Sequence, residues 1–352
     1  MIDLDDEREL TARDPSAMLA TIGGLPTQCR EGYSLGRGIA DPSRPEDVEA
    51  LVVCGMGGSA IAGDSVRALF AGRPGVPIQM IRGSELPGFC GPKTLVVASS
   101  YSGETAETIR CLDEAIRRGC GIVVVTSGGT LGARAAELGL PRVTVPIGYM
   151  PRAAFGYLLL GLLGALEVLG LIPPVAEELG EAVTELDALV PTLVPSVPTS
   201  VNPAKRVAAA IGSRVPVVWG AEGFAAVAAA RWKTQFNENA KVPAFSSALP
   251  ELDHNEVVGW SKGRGTRFFL VALRHDAEPP DVAARFAPSI EIASASGMVT
   301  HEVWATGESA LTKLLSLVVI GDFASAYLGL ARGKDPTPIE AIVRLKQSLT
   351  EV

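Results

Sequence analysis

Two short turns of the sequence combine glycines with hydroxyl side chains in a pattern suited to binding an anion. They lie in "LVVCGMGGSAIAGD" (51–64) and "SSYSGETAETI" (99–109), and each follows an apolar, strand-like run and leads into a helical pattern. Free backbone N–H groups and the positive end of a helix attract a phosphate without lysine or arginine, and glycine lets the backbone come close to it. The sequence therefore predicts a phosphate site formed by Gly57, Gly58, Ser59, Ser100, Ser102 and Thr105.

The first turn also fits a dinucleotide-binding fingerprint, which leaves a second interpretation open. Gly55, Gly57 and Ala60 occupy the spaced positions of the G-x-G-x-x-A pattern. That fingerprint calls for an acidic residue after the next strand, but the run "PIQMI" is followed by Arg82, which would suit a cofactor with a 2′-phosphate. An NADP-dependent dehydrogenase is thus an alternative, although the hydroxyls of the second turn favour a compact phosphate monoester.

The composition favours a small-molecule ligand. The chain has 352 residues, 47% of them hydrophobic, and its 39 acidic against 31 basic residues give a formal charge of −8. The negative charge of the protein would repel a nucleic acid or an anionic membrane surface, so neither is expected as a partner. The five cysteines form no C-x-x-C pair and the acidic N-terminus lacks signal-peptide features, which predicts a cytoplasmic protein with reduced thiols. The three histidines are scattered, so neither a metal nor another cofactor is expected.

One segment, Ala153 to Ile172, is long and apolar enough to be compared with a membrane span. Glu167 interrupts it, Arg152 stands at its head, and its four glycines lower its hydrophobicity. A carboxylate in the middle of a bilayer is costly. We therefore interpret the segment as a helix buried on all sides.

The elements that must position the two turns follow an alternating order. Short Val/Ile-rich runs alternate with helical patterns between about 50 and 150, which is typical of a parallel sheet flanked by helices. The same order recurs roughly 165 to 173 residues later. The run "LVVCGMGGSAIA" corresponds to "PVVWGAEGFAAV", "TLVVASSYSGET" corresponds to "RFFLVALRHDAE", and "GIVVVTSGG" corresponds to "SIEIASASG". The sequence therefore predicts two α/β domains of like topology.

We divide the chain into an N-terminal helical extension (1–45), a first, phosphate-binding domain (46–152), an apolar helix with a proline-rich connector (153–205), and a second domain with a C-terminal helix (206–352). The extension contains one predicted helix, around Met18. The connector, from Val190 to Lys205, has four prolines and is expected to be extended and exposed.

Taken together, the motifs resemble those of the sugar isomerase (SIS) domain proteins, and among them the bifunctional phosphoglucose/phosphomannose isomerases. The similarity runs through most of residues 50 to 350 and rests on "GMGGSAIAGD", "SSYSGET", "TSGG", "PRAAFGYLL", "WKTQFNENAK", "LPELDHNEVVGW" and "DPTPIEAIVRLK". The resemblance implies two SIS domains, each a five-stranded parallel sheet with helices on both faces. It also implies a homodimer that converts hexose 6-phosphates between aldose and ketose forms.

Such an isomerisation needs ring opening, a base that moves a proton between adjacent carbons, and a group that stabilises the enediolate. The resemblance makes Glu238 in "FNENAK" the base, His254 in "ELDHNE" the ring-opening residue supplied by the partner subunit, and Arg152 in "PRAA" the stabilising cation. Asp253, Asn255 and Glu256 could hold the tautomer of His254. Lys346 in "AIVRLK" matches a lysine that assists at the ring, and Thr337 in "DPTPIE" is assigned a contact with the sugar.

Two features depart from the pattern of the family. Glu104 stands where relatives more often have asparagine, and a carboxylate beside a phosphate would either repel it or point outward and favour the helix start. The segments 190–203 and 294–310 look particular to this chain. These segments leave the preferred sugar phosphate open. A separate alternative is a sensor that keeps the phosphate-binding turn and binds sugar phosphates without turnover. The joint presence of Glu238, His254 and Arg152 favours the enzyme.

Overall fold

The computed structural model describes residues 2–39, 47–73, 75–260 and 263–350. Its helices are α1 (Glu7–Arg13), α2 (Met18–Gly23), α3 (Leu25–Arg37), α4 (Gly57–Phe70), α5 (Ala106–Arg117), α6 (Gly129–Glu137), α7 (Phe155–Val168), α8 (Ala176–Leu189), α9 (Pro203–Ile211), α10 (Phe224–Asn239), α11 (Glu256–Gly259), α12 (Pro280–Ala295), α13 (Ala310–Ala331) and α14 (Glu340–Thr350). Short 3₁₀ helices span Pro151–Ala153, Val190–Thr192, Glu251–His254 and Gly265–Arg267. The strands are β1 (Ala50–Cys54), β2 (Ile78–Ile81), β3 (Thr94–Ser99), β4 (Gly121–Thr126), β5 (Arg142–Thr144), β6 (Val215–Ala221), β7 (Phe245–Leu249), β8 (Phe268–Arg274) and β9 (Val299–Trp304).

The first sheet has five parallel strands in the order β2-β1-β3-β4-β5. Alternate side chains of its central strands enter two separate hydrophobic clusters, Leu51 and Val53 in one, Val52 and Cys54 in the other. The sheet is therefore covered on both faces, which is why its strands read as continuous apolar runs. The strand order reverses between β1 and β3, and ligands of such sheets bind at the carboxyl ends of the strands beside this reversal.

The second sheet is parallel with the order β7-β6-β8-β9, so it has four strands in the described residues rather than the five expected. The segment "SIEIASASG" is not a strand, because it lies in and just after α12. The buried residues of α12 are Val282, Phe286, Ser289 and Ala293, and this spacing is that of a helix face. The fourth strand is β9 instead.

Helix α7 confirms the interpretation of the apolar segment as a buried helix, since every residue from Phe155 to Leu166 is buried. Glycines let α3 and α7 touch, and a Cβ on Gly36 would lie 2.1 Å from the carbonyl oxygen of Gly161. Helix α13 is the one described helix whose length and composition would allow it to cross a membrane. Its most apolar window is wholly buried inside the protein, as in the core helix of a globular domain.

Two expectations about the linking parts were wrong. The N-terminal extension forms α1, α2 and α3 rather than one helix. The proline-rich connector contains a 3₁₀ helix and is anchored inside the fold, where Leu193, Asn202 and Lys205 are buried. The Lys205 ammonium donates 2.6 Å to the carbonyl oxygen of Pro195, so hydrogen bonds stabilise a segment that lacks a helical period.

Candidate active site

The first glycine-rich turn begins α4 at the carboxyl end of β1. Gly57 has a φ of +54°, a conformation that favours glycine, and in the described residues no side chain caps the start of this helix. Ser59 is buried in the first turn. A Cβ on Gly58 would lie 2.9 Å from the carbonyl oxygen of Pro151, so the turn packs closely against the segment that carries Arg152.

The second turn lies beside the first and is held in shape by its own hydroxyls. A Cβ on Gly55 would lie 2.9 Å from the carbonyl oxygen of Ser99. Ser100 Oγ lies 2.8 Å from Thr105 Oγ1 and accepts a hydrogen bond of 3.2 Å from the Gly103 amide. Ser102 is exposed and accepts from the Glu104 amide at 3.2 Å. The predicted phosphate residues thus line two adjoining strand ends, as parallel β1 and β3 require.

Glu104 does not leave its carboxylate free beside this turn. Its Oε1 accepts from the Thr130 amide at 2.7 Å and its Oε2 from the Thr130 hydroxyl at 2.9 Å. The carboxylate therefore binds the first turn of α6, where the positive end of the helix favours a negative charge.

Gly103 gives a stability prediction. Its φ is +71°, and a Cβ would lie 1.9 Å from the carbonyl oxygen of Gly128, which as backbone cannot rotate away. We expect Gly103→Ala to lower the free energy of unfolding by more than about 2 kcal/mol, because the strained φ and the clash add. Urea denaturation measures the loss, and Gly88→Ala, which meets nothing within 4 Å, is the control. Equal stability of the two variants would show that the turn relaxes freely.

Arg152 joins the two halves of the chain. It lies on the 3₁₀ helix before α7 and is 3% exposed. Its guanidinium donates 3.3 Å to Glu238 Oε2 and 2.6 Å to Asn239 Oδ1, both at the end of α10. It also donates 2.7 Å to the carbonyl oxygen of Pro336 and 3.0 Å to that of Thr337. Burial lowers the pKa of Arg152, and the nearby Glu238 carboxylate opposes that shift.

A buried ion pair supports this cluster from behind. Arg231 donates 3.0 and 2.6 Å to the two carboxylate oxygens of Asp322 on α13, and 2.8 Å to the carbonyl oxygen of Arg152. Gln235 donates 2.8 Å to the same carboxylate. Burial raises the pKa of Asp322, while Arg231 opposes the shift. Because these groups satisfy one another, α10 and the segment before α7 are fixed in place.

A cavity of about 590 Å³ opens beside Glu238. It is lined by Asn237, Glu238, Lys241, Lys334, Asp335 and the start of α14. The Thr337 hydroxyl is buried nearby without a hydrogen-bond partner in the described residues, although its main-chain amide donates 2.8 Å to Asp335 Oδ1. A space of this size fits a small ligand.

The two other predicted catalytic residues are exposed. His254 ends the 3₁₀ helix after β7, and Lys346 lies on α14. The neighbours assigned to hold the His254 tautomer bind other groups: Asp253 accepts from Ser289 at 2.7 Å, and Glu256 accepts from Trp219 at 3.0 Å. The structure therefore brings together Arg152, Glu238 and the Thr337 backbone, and it leaves the histidine and the lysine on open surface.

Two further observations concern Arg82 and the side chains that could bind a metal. The Arg82 guanidinium forms an ion pair with Asp64 on α4 rather than presenting itself to the glycine-rich turn. No group of three or more His, Cys, Asp or Glu side chains suited to a metal ion occurs in the described part of the chain.

Comparison with known proteins identifies the family. Residues 200–349 match the model described as "Bacterial phospho-glucose isomerase C-terminal SIS domain". A protein of Caldicellulosiruptor bescii named "Bifunctional phosphoglucose/phosphomannose isomerase" is 36% identical over 340 residues, which are 95% of this chain and 99% of that protein. The chain belongs to the bifunctional phosphoglucose/phosphomannose isomerase family. Membership makes it an isomerase rather than a dehydrogenase.

Two further comparisons concern one more relative and the fold. A protein of Sulfolobus acidocaldarius named "D-glucosamine-6-phosphate 4-epimerase" is 30% identical and spans 80% of this chain and 82% of its own. The crystal structure of a hypothetical protein from Thermus thermophilus superposes with a TM-score of 0.76 at 20% identity, covering 98% of this chain and 92% of that one. The second likeness shows the shared fold. The Sulfolobus protein is thus a relative of this chain that is named for a different reaction, an epimerisation.

Proposed function

We propose that the protein interconverts hexose 6-phosphates, glucose 6-phosphate or mannose 6-phosphate on one side and fructose 6-phosphate on the other. The observation that carries the proposal is the 3.3 Å contact between Arg152 and Glu238, because Glu238 lines the cavity and the glycine-rich turn packs against the segment of Arg152. A carboxylate that could act as a base, a cation and a turn suited to phosphate thus lie near one another, which supports the proposal. The bifunctional isomerase named among the relatives acts on the same class of sugar.

The phosphate group is bound at the two adjoining turns by Gly57, Gly58, Ser59, Ser100, Ser102 and Thr105. Main-chain amides at the start of α4 and the hydroxyls after β3 supply hydrogen bonds to the anion. Glu104 is compatible with this assignment, because its carboxylate accepts a hydrogen bond from Thr130 and does not stand free beside the phosphate turn.

Glu238 then moves one proton between C2 and C1 of the open-chain sugar. A carboxylate is ionised at neutral pH, and a general base must lie within hydrogen-bond reach of the proton that it takes. The enediolate formed in this step carries a negative charge next to Arg152. Fixed donors in a site shielded from water stabilise such a charge, which is the role assigned to this arginine.

Three further groups complete the assignment. His254 opens the sugar ring in the active site of the partner subunit, and its exposed position on a turn anchored by buried Leu252 supports a role outside its own subunit. Lys346 assists at the ring from α14. The unpartnered hydroxyl of Thr337 supports a contact with the sugar. The protein is accordingly a homodimer.

The deciding experiment is turnover without metal. The purified protein, treated with a chelator, is mixed separately with glucose 6-phosphate, mannose 6-phosphate and glucosamine 6-phosphate. We expect fructose 6-phosphate from the first two sugars, because the proposed steps use only side chains. Binding without turnover would favour the sensor, loss of activity in chelator would demand a metal, and reaction of glucosamine 6-phosphate alone would favour the epimerase reaction named for one relative.

A further inference from the structure

Lys241 holds an unusual position directly after the helix that carries Glu238. Its φ is +59°, in the left-handed region that lysine rarely adopts. Backbone strain of this kind persists where the surrounding structure enforces it, and it is frequent at functional sites. Here the turn directs the side chain back along the end of α10 and into the wall of the cavity that Glu238 also lines.

The ammonium of Lys241 contacts the same backbone as Arg152. It donates to the carbonyl oxygen of Glu238 and, at 2.8 Å, to that of Pro336. Arg152 donates to the Pro336 carbonyl at 2.7 Å. Two cations therefore converge on one carbonyl oxygen, between the end of α10 and the loop before α14.

The two cations differ in what they can still offer a ligand. Arg152 is nearly fully buried and already donates to four acceptors, which leaves one of its five N–H groups. It also cannot lose a proton at ordinary pH. Among the described residues Lys241 donates to two carbonyls, and it is exposed and lines the cavity, so one of its three protons remains for a ligand.

The proposed isomerisation needs a second proton transfer that Glu238 does not perform. While Glu238 carries hydrogen from C2 to C1, one sugar oxygen must gain a proton and the adjacent oxygen must lose one. We propose that Lys241 is a further catalytic residue, whose ammonium protonates the oxygen on C1 and whose amine then takes the proton from the hydroxyl on C2. The two steps return the ammonium, so no co-reactant is consumed. The inference rests on the proposed function.

The electrostatic surroundings favour such an exchange. Burial and, after it, the positive charge of Arg152 together lower the pKa of Lys241 to about 8, against the opposing effect of the carboxylates. The charged groups that face Lys241 from the neighbouring elements are Glu238 on α10, Arg152 before α7, Asp335 in the loop and Glu340 on α14. Because the ammonium is needed first in either direction, the rate should fall as pH rises through about 8.

The test uses Lys241→Met and Lys241→Arg in the whole 352-residue chain, and Lys233→Met, on the helix α10 that precedes Lys241, is the control. We expect Lys241→Met to lower kcat by about 10²-fold with little change in KM. Lys241→Arg, which keeps the charge but not the exchangeable proton, should be nearly as slow and should lose the fall in rate near pH 8. Lys233→Met should match the unchanged protein.

Deuterium exchange in D₂O separates this role from a structural one. If only the transfer between oxygens is slowed, the enediolate reverts to the starting sugar, and the ratio of exchange at C2 to net turnover rises in both Lys241 variants. A parallel loss of exchange and turnover, or a kcat close to that of the unchanged protein, would overturn the assignment. Absence of both signals in the unchanged protein would instead refute the proposed function.

Discussion

Replacing Glu238 by glutamine is expected to lower kcat for either hexose phosphate by about 10³-fold, because a positioned general base contributes between about 10² and 10⁴. Glutamine keeps the shape of the side chain and still offers an oxygen to the Arg152 guanidinium, which now lies 3.3 Å from the carboxylate. The change therefore removes the basic group and little else. A coupled assay of fructose 6-phosphate formation measures the effect.

The matched control for this variant is Glu222→Gln, at the start of the segment that leads into the same helix α10. Both variants should unfold at the same urea concentration as the unchanged protein. Substrate should still protect Glu238→Gln against unfolding, because the phosphate turns are untouched. A Glu238→Gln protein with normal kcat would remove the proposed base, and a slow protein with lowered stability would assign the loss to folding.

The strands that position the site could be predicted where both faces of a strand are buried. Runs such as "LVVC", "TLVVAS" and "GIVVVT" are apolar throughout because helices cover both faces of the first sheet. The same reasoning failed at "SIEIASASG", where alternating residues imitate a strand although the segment belongs to α12. The fourth strand of the second sheet is β9, an edge strand in which Val303 is buried and most of the other residues are exposed. Such a strand gives only a weak apolar pattern in the sequence.

The contact at the centre of the candidate site could be predicted from motifs, but the groups around it could not. Arg152 and Glu238 were assigned from motifs, and the fold brings them into contact across 86 residues of sequence. Asp322 was missed, although a lone carboxylate inside the apolar helix α13 was a usable signal. Lys241 was also missed, because the position of its ammonium depends on a left-handed backbone conformation and on the carbonyl of Pro336, 95 residues away. Neither fact can be seen in local sequence.

Mixing two inactive variants is expected to restore activity if the proposed homodimer shares its active sites. Glu238→Gln lacks the base, and His254→Ala should lose about 10²-fold in kcat because ring opening loses its proton donor and acceptor. In a mixed dimer, the site with an intact Glu238 receives the intact histidine of the other chain. The second site carries both changes. Random exchange of subunits should therefore give about a quarter of the unchanged activity, since half the dimers are mixed and each has one complete site.

The recovered fraction distinguishes the possible arrangements. If His254 served the site of its own subunit, every site in a mixed dimer would lack one group, and mixing would restore nothing. The variants are unfolded together in urea and refolded to ensure exchange, and each variant refolded alone is the control. The exposure of His254 on a turn held by buried Leu252, while Asp253 is bound to Ser289, means that alanine removes the imidazole without disturbing the anchor. Recovery near a quarter thus assigns the histidine to the partner, and no recovery from well-folded variants assigns it to its own chain or to no site.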